Sequence, residues 1–156
     1  MELTERELMR KTLILIPLLA AMLSLGRAQD ITSQPILIDA TDKAALDAAI
    51  GKDVVVQGIV ASAAWSGTGS VMTIEFKNAR TSRFTAVIFQ RNRAKIDDGF
   101  AGDVTKALAG AKVRIRGKLE MYAPASDSSA AHPEIIITLG DQITILEASP
   151  ATRPGT

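Results

Sequence analysis

The chain has 156 residues, 18 Lys+Arg against 17 Asp+Glu, one His and no Cys, with 47% apolar and only 4% aromatic residues. That length suits one domain with tails, and the missing cysteines exclude disulfide frameworks, thiolate metal sites and cysteine nucleophiles. One His excludes a His-rich zinc cage and argues against Ser/His chemistry, and a net charge of +1 argues against a polyanion binder unless the charge is unevenly spread.

Residues 1–28 read as a secretory signal. Arg10-Lys11 supplies the basic stretch, and Gly26 and Ala28 are small residues suited to cleavage before Gln29. The apolar run Thr12–Leu25 falls short of the roughly 20 residues of a spanning helix, yet suits a signal core. Glu2, Glu5 and Glu7 precede the basic pair, and Met9 is a more typical start than Met1. A buried N-terminal helix or an uncleaved membrane anchor is the alternative. Cleavage would remove four basic and three acidic side chains, leaving 14 of each and a net charge of zero.

Residues 29–35 read as a polar linker, 36–147 as the folded domain, and 148–156, with two prolines and a glycine, as a frayed tail. Ile36-Leu37-Ile38 is a short strand. Thr41 is expected to cap a helix with Ala45, Leu46, Ala49 and Ile50 on one face, ended by Gly51. From Asp53 the period becomes two. Val54, Val56, Gly58 and Val60 share one face of a strand, and Met72, Ile74 and Phe76 one face of the next, Ser70–Lys77. The third strand, Arg83–Gln90, is nearly all apolar, so parity does not say whether Phe84 or Phe89 faces outward. A short helix is expected around Asp103–Leu108. Lys112–Met121 forms the fourth strand, and Glu134–Leu139 with Gln142–Glu147 the fifth, interrupted at Gly140-Asp141.

Residues 51–60 align without gaps on 110–119. Gly51 matches Gly110, Val54 matches Val113, Val56 matches Ile115, Gly58 matches Gly117 and Val60 matches Leu119. Each strand thus carries an internal glycine, which marks a bulge or sharp bend. The echo reads either as kinship or as a shared way of entering a strand.

The bent strand Gly51-Lys-x-Val-x-Val-x-Gly-x-Val60 and the phrase Phe84-Thr-Ala-Val-Ile-Phe89 are followed by Leu108-x-Gly110-x-x-Val113-x-Ile115-x-Gly117-Lys118 and Pro133-Glu134-Ile135. Together they resemble the bacterial OB-fold (oligonucleotide/oligosaccharide-binding) nucleic-acid-binding modules, found alone or appended to exported nucleases and other enzymes. The resemblance covers 36–147. It implies an all-β domain with a small α contribution: a five-stranded, partly open barrel with an N-terminal helix and a short helix between strands three and four. It also implies a ligand face on strands two and three, flanked by the loops joining strands one to two and four to five.

Charge is clustered. Between Phe76 and Ile96 stand Lys77, Arg80, Arg83, Arg91, Arg93 and Lys95 with no acid, and on the fourth strand Lys112, Arg114, Arg116 and Lys118 all point outward. Such clusters attract phosphates; the competing reading is that outward strand positions are simply polar, and it is preferred for the fourth strand. Single-stranded nucleic acid also uses aromatic platforms. The only Trp, Trp65, falls in the first of the two flanking loops, and the only Tyr, Tyr122, at the start of the second. Candidate binding residues are therefore Trp65, Lys77, Arg80, Arg83, Arg91, Arg93 and Tyr122. Glu75, outward on the same face, is an unfavourable neighbour for phosphate.

Nothing points to catalysis, a metal or a cofactor. His132 reads as a turn residue, Asp97-Asp98 as a helix-capping pair, and Gly67-Thr68-Gly69 lacks the length and the lysine of a phosphate loop. The sequence predicts an exported, non-enzymatic binding module for single-stranded nucleic acid or another anionic polymer, without a stable transmembrane anchor after cleavage. The alternative is a periplasmic OB-fold protein that binds a small molecule or a protein partner.

Overall fold

A computed structural model of the chain describes residues 34–149. The segment read as a signal, the expected linker as far as Ser33 and the expected tail from Pro150 lie outside the described residues.

Seven strands and three short helices follow in order: β1 Ile36–Asp39, α1 Lys43–Ala48, β2 Asp53–Trp65, β3 Val71–Phe76, β4 Thr85–Phe89, α2 Arg93–Asp97, α3 Val104–Leu108, β5 Lys112–Tyr122, β6 His132–Ile137 and β7 Ile143–Glu147. The sheet runs β1-β2-β3-β4-β6-β5-β7, and a further pairing of β2 with β5 closes β2, β3, β4, β6 and β5 into a ring. That closure is continuous from Asp53↔Lys118 to Ile59↔Lys112, so the barrel is closed where a partly open one was expected. The interrupted fifth strand is real: β6 pairs with the second half of β5 and β7 with the first, across a 3₁₀ turn at Gly140–Gln142.

The period-two faces meet inside. Val54, Val56 and Val60, Met72 and Ile74, Ile88, Val113, Ile115 and Leu119, and Ile135 and Ile137 are all fully buried in one cluster, joined by Leu46, Ile96 and Leu108 from the helices. Both long strands pass from one half of the barrel to the other just after their glycines. β2 pairs with β5 up to Ile59 and with β3 from Val60; β5 pairs with β2 up to Lys118 and with β6 from Leu119. These are the expected bends.

Several local expectations change. The cap of α1 is Asp42, whose carboxylate accepts from the Ala45 N–H, because the Thr41 hydroxyl donates to Asp39 instead. A helix at Arg93–Asp97 was not expected; its five residues are too few to show a period. The α3 helix is capped by Asp103, which accepts from Thr105 and Lys106. Ser149, placed in the tail by sequence, is buried over Gly110.

Among the described residues, no helix is long and apolar enough to cross a membrane.

Candidate functional site

Register aligns five side chains in one row across the outer face. Ser62 pairs with Glu75, Glu75 with Thr85, Thr85 with Glu134, and Glu134 with Glu120. Side chains alternate along a strand, and Ile74, Ala86, Ile135 and Leu119 beside them are fully buried, so this row faces outward. Its middle is acidic. The Ser62 hydroxyl donates to Glu75 Oε2 at 2.9 Å. Burial raises the Glu134 carboxyl pKa, His132 opposes the rise and Glu120 adds to it. Between the two carboxylates, the Thr85 hydroxyl is buried without a hydrogen-bond partner.

Beside this row, a cavity of about 920 Å³ lies between the β3–β4 turn (residues 77–84) and the start of β6. Glu75, Thr85 and His132 line it from the sheet, and Lys77, Arg80 and Arg83 from the turn. The turn is held by buried Ser82, whose hydroxyl donates to the Ala40 carbonyl oxygen at 2.6 Å, with the Ala79 oxygen as a second acceptor at 3.1 Å. Arg83 sits at φ +56°, in the left-handed region. From there its guanidinium donates to the carbonyl oxygens of Ser129 (2.9 Å) and Ala130 (3.1 Å), tying the turn to the loop between β5 and β6. His132 Nδ1 lies 2.8 Å from the Ala130 oxygen, and its ring 5.2 Å from that of Tyr122. Tyr122 ends β5 rather than opening the loop, and is 46% exposed.

The other three cations of the basic segment lie elsewhere. Arg91, Arg93 and Lys95 follow β4, whereas Lys77, Arg80 and Arg83 precede it. Five residues of strand put the two groups about 13 Å apart or more. One contiguous segment thus becomes two cationic groups at opposite ends of β4, with the carboxylate row at the first of them, level with Thr85 and beside Lys77, Arg80 and Arg83. At this second end the Arg91 guanidinium lies 4.8 Å over the Phe89 ring, and Arg93 lies 5.0 Å over Trp65 while pairing with Asp97 at 3.2 Å. Phe89 is the outward aromatic of β4, whereas Phe84 is buried against Phe76.

Trp65 is the main displacement from expectation. It ends β2 opposite Met72 and packs on the core, not in a loop. The register shifts between Val60 and Ser62, so Ala61 is an extra residue that reverses the parity of everything after it. Counted from Val60 without that bulge, Trp65 would face outward; with it, Trp65 faces inward. The run Ala61–Ala64 is too small and uniform to signal either the strand or the slip.

The cations of β5 are largely neutralised. Lys112 pairs with Glu147 (3.4 Å), Arg116 with Asp141 (3.6 Å) and Lys118 with Glu120 (3.5 Å), while Arg114 donates to the Gln57 side chain. Among the described residues, Lys77, Arg80, Arg83, Arg91 and Lys95 form no ion pair, and no acidic or histidine cluster converges as a metal site. His132 and Glu134 were legible only as a turn and a strand start; the register that sets them beside Glu75 and Thr85 joins segments far apart in sequence.

The ring β2-β3-β4-β6-β5, with helices between its third and fourth sequential strands and a parallel β4–β6 pairing, is an OB-type barrel. An aspartyl-tRNA synthetase from Leishmania major Friedlin matches with a TM-score of 0.51 at 12% identity, over 80% of this chain and 23% of that one. The aspartyl tRNA synthetase from Entamoeba histolytica matches at 0.45 and 18%, over 70% and 21%, and an OBody bound to hen egg-white lysozyme at 0.45 and 21%, over 65% and 86%. The chain spans less than a quarter of the length of either synthetase, and at these identities the likeness is one of fold. No protein-family model matches the chain, and no curated protein sequence does.

Proposed function

We propose that this is an exported, non-enzymatic binding module whose OB-type barrel holds single-stranded nucleic acid or another anionic polymer across β3 and β4. The observation that carries the reading is a contrast between cations. Those of β5 are mostly paired with carboxylates, whereas Lys77, Arg80 and Arg91, at the two ends of the β3–β4 face, have no ion pair among the described residues. Unpaired cations are the groups that release counterions from a polyanion. Exposed Tyr122 and half-buried Phe89 add ring surface at opposite ends of the same face. Export rests on the Arg10-Lys11 pair and the apolar run after it, and the non-enzymatic reading on the absence of cysteine and the single His.

The test is binding of a labelled oligonucleotide to the protein recovered from expressing cells, across salt concentrations. Six phosphate contacts to a single strand would give a log–log slope of about −4. Absence of binding at low salt would overturn the reading. It would favour the second one, a small-molecule site, which the cavity of about 920 Å³ supports by its size. The mature N-terminus is expected at or near Gln29; an intact Met1 or Met9 would contradict cleavage.

A further inference from the structure

We infer that the cavity beside the β3–β4 turn selects one base of the bound strand, that this base is guanine, and that Glu75 reads it. The inference rests on the nucleic-acid reading above and adds a specificity to it.

The cavity divides its hydrogen-bonding groups by kind. Glu75 projects into it from β3 as a carboxylate, an acceptor only. The Ser62 hydroxyl, donating to Oε2 from the neighbouring strand, is its one hydrogen-bond partner among the described residues, so the carboxylate is oriented while Oε1 and the second lone pair of Oε2 are left to a ligand. In its neutral form His132 adds a second acceptor. A carbonyl oxygen only accepts, so the 2.8 Å contact with Ala130 puts the proton of a neutral ring on Nδ1 and leaves Nε2 with its lone pair. The turn brings the opposite character, with Lys77, Arg80 and Arg83 as donors and cations.

Such a cavity fits a ligand with adjacent N–H donors on one edge and negative charge beyond it. A phosphate does not fit on the sheet side, because Glu75 belongs to the row that also holds Glu134 and Glu120. A phosphate does fit at the turn. Among the four bases, guanine alone presents two parallel N–H donors side by side, N1–H and N2–H, which a carboxylate takes as a bidentate pair. Adenine and cytosine set one amino group beside a ring nitrogen acceptor, which would face the second carboxylate oxygen lone pair to lone pair. Thymine and uracil have one N–H between two carbonyls. Tyr122, exposed and 5.2 Å from the His132 ring, gives a base in this position a flanking aromatic surface.

The test uses labelled thymidine oligonucleotides of about nine nucleotides, within the usual span of one OB barrel, each with a single central dG, dA, dC or dT. One guanine per strand prevents quadruplex formation. Fluorescence anisotropy with the recovered protein should show the dG strand binding about ten-fold tighter than the all-dT strand, with dA and dC close to dT. Glu75→Gln exchanges one acceptor for a donor and should bring the dG-to-dT ratio to within about two-fold. Ser62→Ala, which frees the carboxylate to rotate, should lower the ratio by less. Equal, salt-dependent binding of all four strands would overturn the guanine inference and leave the nucleic-acid reading standing. A dG preference that survives in Glu75→Gln would overturn the role of Glu75. No binding of any strand at low salt would overturn both.

Discussion

Gly117 lies directly across the sheet from Val54, and Gly58 correspondingly across from Val113. The two halves of the internal echo are therefore antiparallel partners, with each glycine facing the valine that corresponds to its partner's. Both glycines are required by contact. A Cβ on Gly58 would stand 2.7 Å from Phe76 Cδ1 and 2.9 Å from Ala40 Cβ, and one on Gly117 would stand 2.6 Å from Ile135 Cγ2.

Gly58→Ala and Gly117→Ala should each destabilise the domain by about 1–3 kcal/mol through overpacking of the barrel corner. Gly67→Ala, with nothing within 4 Å of the added carbon, serves as the control and should stay within about 0.5 kcal/mol of the parent. Urea unfolding measures all three. Equal midpoints for Gly58→Ala and Gly67→Ala would show that the corner yields freely.

Trp65 is a packing residue under Arg93, so its truncation should be felt in stability. Trp65→Ala is expected to cost about 3 kcal/mol, the lower end for a large aromatic because the ring is only half-buried. Arg93→Ala should shift the emission of this single tryptophan as its guanidinium leaves the ring face. A thermal unfolding curve for Trp65→Ala that overlays the parent's would place the ring in solvent instead.

Arg83 acts as a tether between the β3–β4 turn and the loop 123–131 through two carbonyl oxygens. Arg83→Met should speed amide hydrogen exchange in that loop and lower stability by about 1 kcal/mol, since the pair is solvent-exposed. Arg83→Gly should loosen the loop equally but destabilise less, because glycine adopts φ +56° without strain. Unchanged exchange in both variants would mean that other contacts hold the loop.

Two carboxyl groups should give opposite pH signatures. Asp103 is held down to about 2 by the Thr105 hydroxyl first, then by the backbone and side chain of Lys106. Its folded value lies below the unfolded one, so its contribution is complete above pH 4 and is lost as pH falls from about 4 to 2. Asp103→Asn, which keeps a cap without titrating, should flatten the acid limb there. Glu134 is raised by burial, so the folded state disfavours its charge and loses stability as pH rises through the carboxyl range. Glu134→Gln should therefore raise Tm at pH 7, with the gain shrinking in acid. A Tm at pH 7 lower than the parent's would mean that the charged form is stabilised by the neighbouring His132.

The sequence alone determined the elements whose signal is local. Met72, Ile74 and Phe76 repeat every second residue because a strand alternates its faces, and Gly51 and Gly110 follow a helix at positive φ. The broken fifth strand and the bends of β2 and β5 were legible for the same reason. Only the tertiary structure decided what depends on counting across strands. One extra residue at Ala61 turned Trp65 from the outer face to the core, and no neighbour of Ala61 in sequence announces it. The basic segment, contiguous as read, was divided by β4 into two ends of a face. The negative charge at the turn end of the face came from Glu75, Glu134 and Glu120, which lie on three different strands and share a row only through hydrogen-bond register. Net charge near zero thus left the local distribution of charge open, and that distribution was set by pairing, because register couples residues that the chain keeps far apart.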